Sequence, residues 1–514
     1  MDKKWADKLK YGMLCFAFAV LFVFACSRMK YFINSDYASE LILSKMLMED
    51  GGILSSRWFY STELRVLNTQ LVFALLFHTT NNWQIVRIAG TVILWLLLLA
   101  SVFYFSYQAG IKRYFPILGL LLLLPFSEQY FLYVVMGVYY IPHLIIAFLT
   151  LGMLFHMDHM LMDSGKGRIV LLGLNMLLAL IAGMGGMREL FVLYVPLFLA
   201  GIMAGFKSGF HFALEKWAVK VSGLLLIFSG IGYIINSKIL SRYYSFKSFG
   251  DIQWKYFRFE NVQDLINGFL YFHGWRKDRA VLSTYTLNNI TCVAILILVT
   301  AGIIWYVRNG TKPDQRFRLL LWFYLISGFM FIGLYLMTDM GYLHRYWILT
   351  LIWELPLLLH WYDRCDNASV KKICHITLGL VVLSSLIVYC GYGKLEWNFL
   401  EFYPDNQGKE EIIADLEEEG YEQGYATFWN ANVMTELSNG KIEMWALPDS
   451  LSSYEVYPWL QKKEHQQTGP NGRYFVMFSE EELGSPLGEE MSDEQIIYTG
   501  NGYVIYGVAN NEQN

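Results

Sequence analysis

Charge is scarce in this 514-residue chain, where Asp, Glu, Lys and Arg together make up only 16%. Apolar residues make up 55% and aromatic residues 17%, and the apolar ones gather in blocks of bilayer length rather than at amphipathic spacing. That pattern excludes an ordinary water-solvated globule and points to a polytopic membrane protein. Cysteine is also sparse. Cys15, Cys26, Cys292, Cys365, Cys374 and Cys390 lie in or beside apolar runs or basic loops, so residues 394–514 have no disulfide and depend on packing. Internal repeats and low-complexity tracts are lacking, as are P-loop, serine-nucleophile and zinc-protease patterns. Gly424, Gly440 and Gly472 sit at turns without phosphate-loop spacing, which leaves a nucleotide site there without support.

What is abundant is long apolar sequence. Runs near 11–29, 83–107, 115–133, 139–156, 169–185, 189–206, 221–237, 287–307, 319–338, 345–360 and 373–392 predict about eleven transmembrane helices. Pro116, Pro125 and Pro142 interrupt the third and fourth, and the glycine run from Gly183 to Gly186 ends the fifth. Tyr11 to Ala25 is expected to stay as an uncleaved first helix rather than act as a signal peptide. With the N-terminus inside, the cytoplasmic segments carry Lys3, Lys4, Lys112, Arg113, Lys166, Arg168, Lys216, Arg316, Lys371 and other basic residues. Eleven crossings then leave residues 394–514 outside, and a multi-pass plasma-membrane location follows.

This predicts a transmembrane domain over 1–393, with outer loops at 30–82 and 238–286, and an extracytoplasmic domain over 394–514. In the first loop, 38–49 and 67–77 are apolar segments too short to span and are expected to lie along the interface. The second loop mixes Arg242, Trp254, Arg258, His273 and Trp275, a composition suited to head groups or anionic ligands. In the terminal segment, helices at 409–419 and 431–438 alternate with strands at 424–428, 441–447, 473–479, 495–499 and 503–508. The fold class is therefore mainly α, with a small C-terminal α/β domain.

Candidate chemistry gathers on the outer face. Asp36 follows the first span, with Glu40, Arg57, Tyr60, Glu63 and Arg65 nearby, and a carboxylate in a partly desolvated cleft can act as a general base. Glu128 returns a second acid to that face. Arg188 follows a glycine run, beside Glu189, with which it can neutralise itself; Arg345, after His344, has no adjacent acid. A guanidinium stays charged and donates in a planar fork, which suits a phosphate; snorkelling to lipid head groups is the competing role. His156, Asp158 and His159 fall on the cytoplasmic side and are not read as a metal site, and His143 is read as a buried polar contact.

Asn34-Ser35-Asp36-Tyr37 after the first span, Glu128 at the outer end of the third, Arg87 entering the second long span and Arg345-Tyr346 together resemble the GT-C superfamily of integral membrane glycosyltransferases. The run Gly424-Tyr425-Ala426-Thr427-Phe428-Trp429-Asn430-Ala431-Asn432 is similar to exported domains of bacterial proteins of this type. The resemblance implies inverting sugar transfer from a polyprenyl-phosphate-linked donor to a cell-surface glycan, lipid or protein. Asp36 and Glu128 would be the catalytic pair, Arg345, Arg188 and Arg65 would hold the donor phosphate, and Arg57, Glu63, Tyr60 and His344 would contact donor or acceptor. Membrane lipids are implied partners and nucleic acid is not. Many relatives pair two acids in the first loop where this chain has Asp36 alone, so a divalent metal is left open as a cofactor. A transporter or scrambling protein for lipid-linked glycans would use the same groups without bond cleavage, and a third reading makes the terminal domain a polymer-binding module on a membrane anchor.

Overall fold

The structure is a computed structural model that describes residues 3–62, 64, 66–124, 126–160, 165–209, 213–246, 252–277, 287–309, 314–390 and 406–508. Among the described residues, eight helices are long and apolar enough to cross a membrane: Asp7–Phe32, Trp83–Gln108, Ile141–His159, Gly165–Gly185, Lys216–Arg242, Leu287–Asn309, Gln315–Met337 and Ala368–Leu386. The chain is a multi-pass membrane protein. Among the described residues the expected count of about eleven spans is not confirmed, because three of the apolar runs are broken. Residues 115–133 become Lys112–Leu123 and Glu128–Met136, bent by 92°. The run 189–206 starts with a π-helical turn, Leu190–Tyr194, before the helix Val195–Ser208. The run 345–360 divides into a 3-10 turn His344–Trp347, one α-turn Ile348–Leu351 and the helix Glu354–Arg364. Apolar composition gives the length of a run, not its straightness.

The chain packs as two compact units. The first comprises Met1–Val23, Leu94–Lys238 and Ser248–Phe402. Its helices approach closely where side chains are absent. A Cβ on Gly183 would come within 2.0 Å of the Ser229 carbonyl oxygen, and one on Gly232 within 2.1 Å of that of Leu180. Glycine is therefore required where Gly165–Gly185 meets Ala213–Lys238, the small-residue contact that dispersion-driven packing in lipid favours. Elsewhere in this unit Phe105, Phe148 and Trp353 form a buried aromatic cluster, with centroids 4.8 to 5.7 Å apart.

The second unit comprises Phe24–Ile93, Ile239–Lys247 and Tyr403–Asn514. Its strands are β1 (Trp58–Phe59), β2 (Gln423–Thr427), β3 (Glu443–Leu447), β4 (Gln461–Lys462), β5 (Tyr474–Ser479), β6 (Gln495–Gly500) and β7 (Tyr503–Val508). Five of them form a sheet in the order β3-β2-β5-β7-β6; β2 is parallel to β3 and β5, and β7 antiparallel to β5 and β6. The helix Phe428–Leu437 makes the crossover between the parallel strands β2 and β3. Tyr425, Leu447, Val476, Phe478, Leu487 and Tyr506 belong to the core of this domain. The outer-loop segment expected over 38–49 is the helix Ser35–Asp50. It is buried on most sides, packed against Gln70–Phe77 and Phe428–Leu437, which is why its hydrophobicity is not confined to one face.

Two ion pairs brace this unit away from the sheet centre. Glu443 accepts hydrogen bonds from His465 at 3.0 Å and Lys462 at 2.6 Å. The His465 hydrogen bond, helped by the Lys462 charge and opposed by burial, holds the Glu443 carboxyl down to about 2, against an ordinary value of 4.5. A depressed folded value means that the stabilisation is complete above about pH 4.5 and disappears as the pH falls towards about 2. Glu443→Gln is thus expected to lower the unfolding midpoint of the purified protein at neutral pH and to flatten its fall across that acid window. Parallel acid profiles for variant and wild type would refute the assignment.

Candidate active site

In the second unit, Asp36 stands in the first turn of Ser35–Asp50. Asn34 caps that helix by accepting from the Tyr37 N–H at 3.1 Å, and Gly51 ends it in the left-handed conformation at φ 67°. A short polar residue before an apolar run supplies this cap from local sequence alone. Asp36 is half-buried, and an acid in a first turn also meets the positive end of the helix dipole. Glu40 lies one turn further along the same face, 1% exposed, and accepts the Thr69 hydroxyl. The lone acid of the sequence thus has a second carboxylate behind it. Among the described residues no group of three or more His, Cys, Asp or Glu converges on one point, and Glu40 is engaged by Thr69.

Arg87 and Glu436 fix this turn. Arg87 Nε donates to Glu436 Oε1 at 2.8 Å and Nη2 to Oε2 at 2.6 Å, the two-pronged geometry that a guanidinium matches to a carboxylate. Nη2 also donates to the Tyr37 carbonyl at 2.7 Å, and the guanidinium lies 5.2 Å from the centre of the Phe73 ring. Both side chains are below 5% exposed. Ser35 Oγ donates to the Phe428 carbonyl, so a second hydrogen bond ties the Asp36 turn to the helix that carries Glu436.

The other candidates of the first loop hold the loop itself. Arg57 pairs with Asp50 at 2.8 Å and Glu464 at 2.6 Å beside the β1–β4 ladder, and its hydrogen bond, helped by its charge, keeps the Glu464 carboxyl below its ordinary range. Tyr60 is buried, accepts the Ser55 N–H at 2.9 Å and packs edge-on to Tyr244. Glu63 and Arg65 lie outside the described residues.

In the first unit the three broken segments converge. Arg345, on the 3-10 turn His344–Trp347, lies 4.9 Å from the ring centre of Tyr133, which belongs to the π-helical turn Phe131–Met136. Arg188, just before the π-helical turn Leu190–Tyr194, lies 5.0 Å from the ring centre of Tyr140. The Tyr133 and Tyr140 rings are 6.0 Å apart, and Tyr139 packs on both. Two guanidinium groups therefore sit on one tyrosine cluster. Glu189 is bonded to buried His143 and also feels the charge of Arg188, whose Nη1 lies 3.5 Å from His143 Nε2. Arg188 lines a cavity of about 330 Å³ whose walls include Tyr140, Phe191, Trp254, Phe331 and Tyr346. Irregular backbone at membrane depth is sustained where protein or a cavity surrounds it, and all three breaks border this cluster.

Glu128 heads the short helix that runs into the Tyr133 turn, capped by Ser127, whose Oγ accepts from the Tyr130 N–H at 3.2 Å; this helix packs against the turn carrying Arg345. The His344 ring packs between Tyr271 and Tyr342, at 5.1 Å from each. His156 bonds Tyr104, His159 faces the Gln108 carbonyl and Asp158 pairs with Arg316. Sequence reasoning missed another buried polar cluster. Glu354 accepts from Tyr324 at 2.7 Å and is paired with His273 at 2.8 Å, beside a cavity of about 550 Å³. The signal was there, since an acid inside an apolar run marks a position with a partner.

No family model matches the chain, and no curated protein matches it in sequence. Its structure is similar to that of ArnT from Cupriavidus metallidurans bound to undecaprenyl phosphate. The match covers 99% of this chain and 98% of that one, with a TM-score of 0.57 and 12% sequence identity. Eight apolar helices of membrane-crossing length, three broken helical segments and a terminal α/β domain, matched over nearly the whole of both chains, identify the architecture: this chain has the fold of that ArnT structure.

Proposed function

We propose that the protein is a membrane glycosyltransferase that moves a sugar from a polyprenyl-phosphate donor to a hydroxyl of an extracytoplasmic glycan, lipid or protein. The observation that carries this reading is the arginine pair on the Tyr133–Tyr140 cluster beside an otherwise largely apolar cavity. A phosphate on an isoprenoid chain asks for that combination: fixed cations for the head and apolar wall for the tail. The similar ArnT structure holds undecaprenyl phosphate, which supports this class of lipid.

In the proposed step Asp36 takes the proton of the acceptor hydroxyl while that oxygen bonds to the anomeric carbon. The bond from that carbon to the donor phosphate oxygen breaks, the lipid phosphate leaves as an anion and the configuration inverts. Because the leaving group is already a stable anion, cationic stabilisation by Arg188 and Arg345 replaces a strong general acid. Glu128 orients the acceptor. The terminal domain contacts the acceptor and faces the outside, with the N-terminus cytoplasmic in the plasma membrane. This orientation agrees with the basic loops and requires the three broken segments to cross as the straight ones do.

The test is sugar transfer from a polyprenyl-phosphate donor by the purified protein. Absent transfer with retained donor binding and lipid movement would favour transport instead. Arg188→Lys and Arg345→Lys are each expected to raise the apparent KM for the donor by about 10- to 100-fold, since an ammonium cannot reproduce the planar fork. Donor kinetics unchanged in both variants would remove the arginine pair from the phosphate site.

A further inference from the structure

The second unit carries a group of aromatic rings that the proposed chemistry leaves unused. Trp429, in the first turn of Phe428–Leu437, is 53% exposed, although it is a large apolar side chain on a folded domain. Its neighbour Phe428 packs edge-on to it at 5.2 Å and to Tyr457 at 6.0 Å, and the Tyr457 and Trp459 rings are stacked at 6.3 Å with 25° between their planes. Tyr457 and Trp459 are only partly buried.

These rings are held in place. Leu451 and Leu460 bracket the segment that presents Tyr457 and Trp459, and both are buried with positive φ, 42° and 49°. A leucine in that region is strained by about 1 kcal/mol or more, and backbone strain of this kind collects where a surface must be presented in one shape. The Asn432 amide donates to the Leu460 carbonyl at 3.2 Å and fixes the end of the segment.

The ring group adjoins Asp36. Ser35, the residue before it, donates to the carbonyl of Phe428, the residue before Trp429. The Tyr457 phenol is pushed up, first by burial and then by the charges of Asp449 and Asp36, so both carboxylates act on this ring.

We propose that Trp429, Tyr457 and Trp459 form a carbohydrate-binding ledge that seats a pyranose ring of the acceptor beside Asp36. The proposal rests on the glycosyltransferase reading and names the acceptor's chemical class as a sugar. The C–H face of a pyranose carries slight positive charge and packs on the electron-rich face of an aromatic ring, while its equatorial hydroxyls donate to carboxylates at the rim. Asp36 and Asp449 supply that rim. Insertion of Trp429 among lipid head groups is disfavoured by the same two acids, which would repel an anionic bilayer surface.

The experiment is ligand-observed saturation-transfer NMR on the purified full chain with glucose, galactose, mannose and N-acetylglucosamine and their β-1,4-linked disaccharides. At least one sugar is expected to show transfer to its ring C–H protons. Trp429→Ala and Trp459→Ala should each weaken its binding by about tenfold, the size of one aromatic contact, and Trp429→Phe should restore most of the loss. Asp36→Asn, whose amide oxygen still accepts at the rim, should weaken that binding by no more than about threefold while losing sugar transfer from the donor. That separates the two claims: active Asp36→Asn protein overturns the catalytic reading, whereas the ledge is judged by sugar binding alone. Binding of none of these sugars to the wild type, or wild-type binding by both alanine variants, overturns the ledge. So does a Trp429→Ala protein that binds sugar normally but loses association with phosphatidylglycerol vesicles.

Discussion

Asp36→Asn is expected to lower sugar transfer from a polyprenyl-phosphate donor by about 10²- to 10⁴-fold, the contribution of a positioned general base. The substitution is nearly isosteric and leaves the Asn34 cap in place, so the helix Ser35–Asp50 should fold as before. What the variant loses besides the base is a charge at a helix N-terminus, about 0.3–1 kcal/mol at most exposed sites. Purified variant and wild type should therefore have similar unfolding midpoints and similar donor affinity while differing in turnover. Turnover within a few-fold of wild type would remove Asp36 as the base. A fall confined to KM would make it a binding group instead.

Arg87→Ala should be the most destabilising single change among those considered. It leaves Glu436 as an uncompensated carboxylate inside the second unit, a class of loss that costs about 3–5 kcal/mol, and it also removes the donor to the Tyr37 carbonyl. Glu436→Ala should cost a similar amount, because the stranded group is then the guanidinium. Arg87→Met combined with Glu436→Leu should recover most of the stability, since apolar groups of similar volume often replace a buried ion pair at little cost. The recovered double variant separates stability from positioning. Arg87 holds the residue next to Asp36, so a double variant that folds well but turns over more slowly would show that the ion pair also orients the base. Additive losses in the double variant would mean that the two side chains do not act as a pair.

Much of this protein was legible as pattern. The eight straight spans follow from apolar length, and the Asp36 helix announces itself by Asn34 before an apolar run. The terminal helices and strands follow from local periodicity and turn-forming glycines, and the observed Gln407–Glu418, Gln423–Thr427, Phe428–Leu437 and Tyr503–Val508 lie within a few residues of expectation. Pro125 signalled the break in 115–133, but those in 189–206 and 345–360 were not legible, because hydropathy is summed along the chain and does not register which hydrogen bonds close.

Arg57 and Arg87 show the limit at the level of single residues. Both are arginines near the ends of apolar segments, and sequence gave Arg57 a ligand role while noting Arg87 only as a point of resemblance. Their partners, Glu464 and Glu436, lie 407 and 349 residues away, a separation at which no local periodicity carries information. The proposed aromatic ledge is similar: Trp429 and Tyr457 are ordinary residues of a small domain until a helix and a strained loop bring both rings against Phe428.

The sequence by itself determined that the chain crosses a membrane repeatedly, that its last hundred or so residues form an α/β domain, and that a short apolar segment over 38–49 follows Asp36 beyond the first span. These properties depend on composition, on periodicity and on residues a few positions apart. Only the tertiary structure decided that Arg188 and Arg345 share one tyrosine cluster, that Thr69 engages Glu40 one turn beyond Asp36, and that Arg87 pairs with Glu436. Those facts depend on which distant segments meet, and that is decided by packing of the whole chain rather than by any stretch of it.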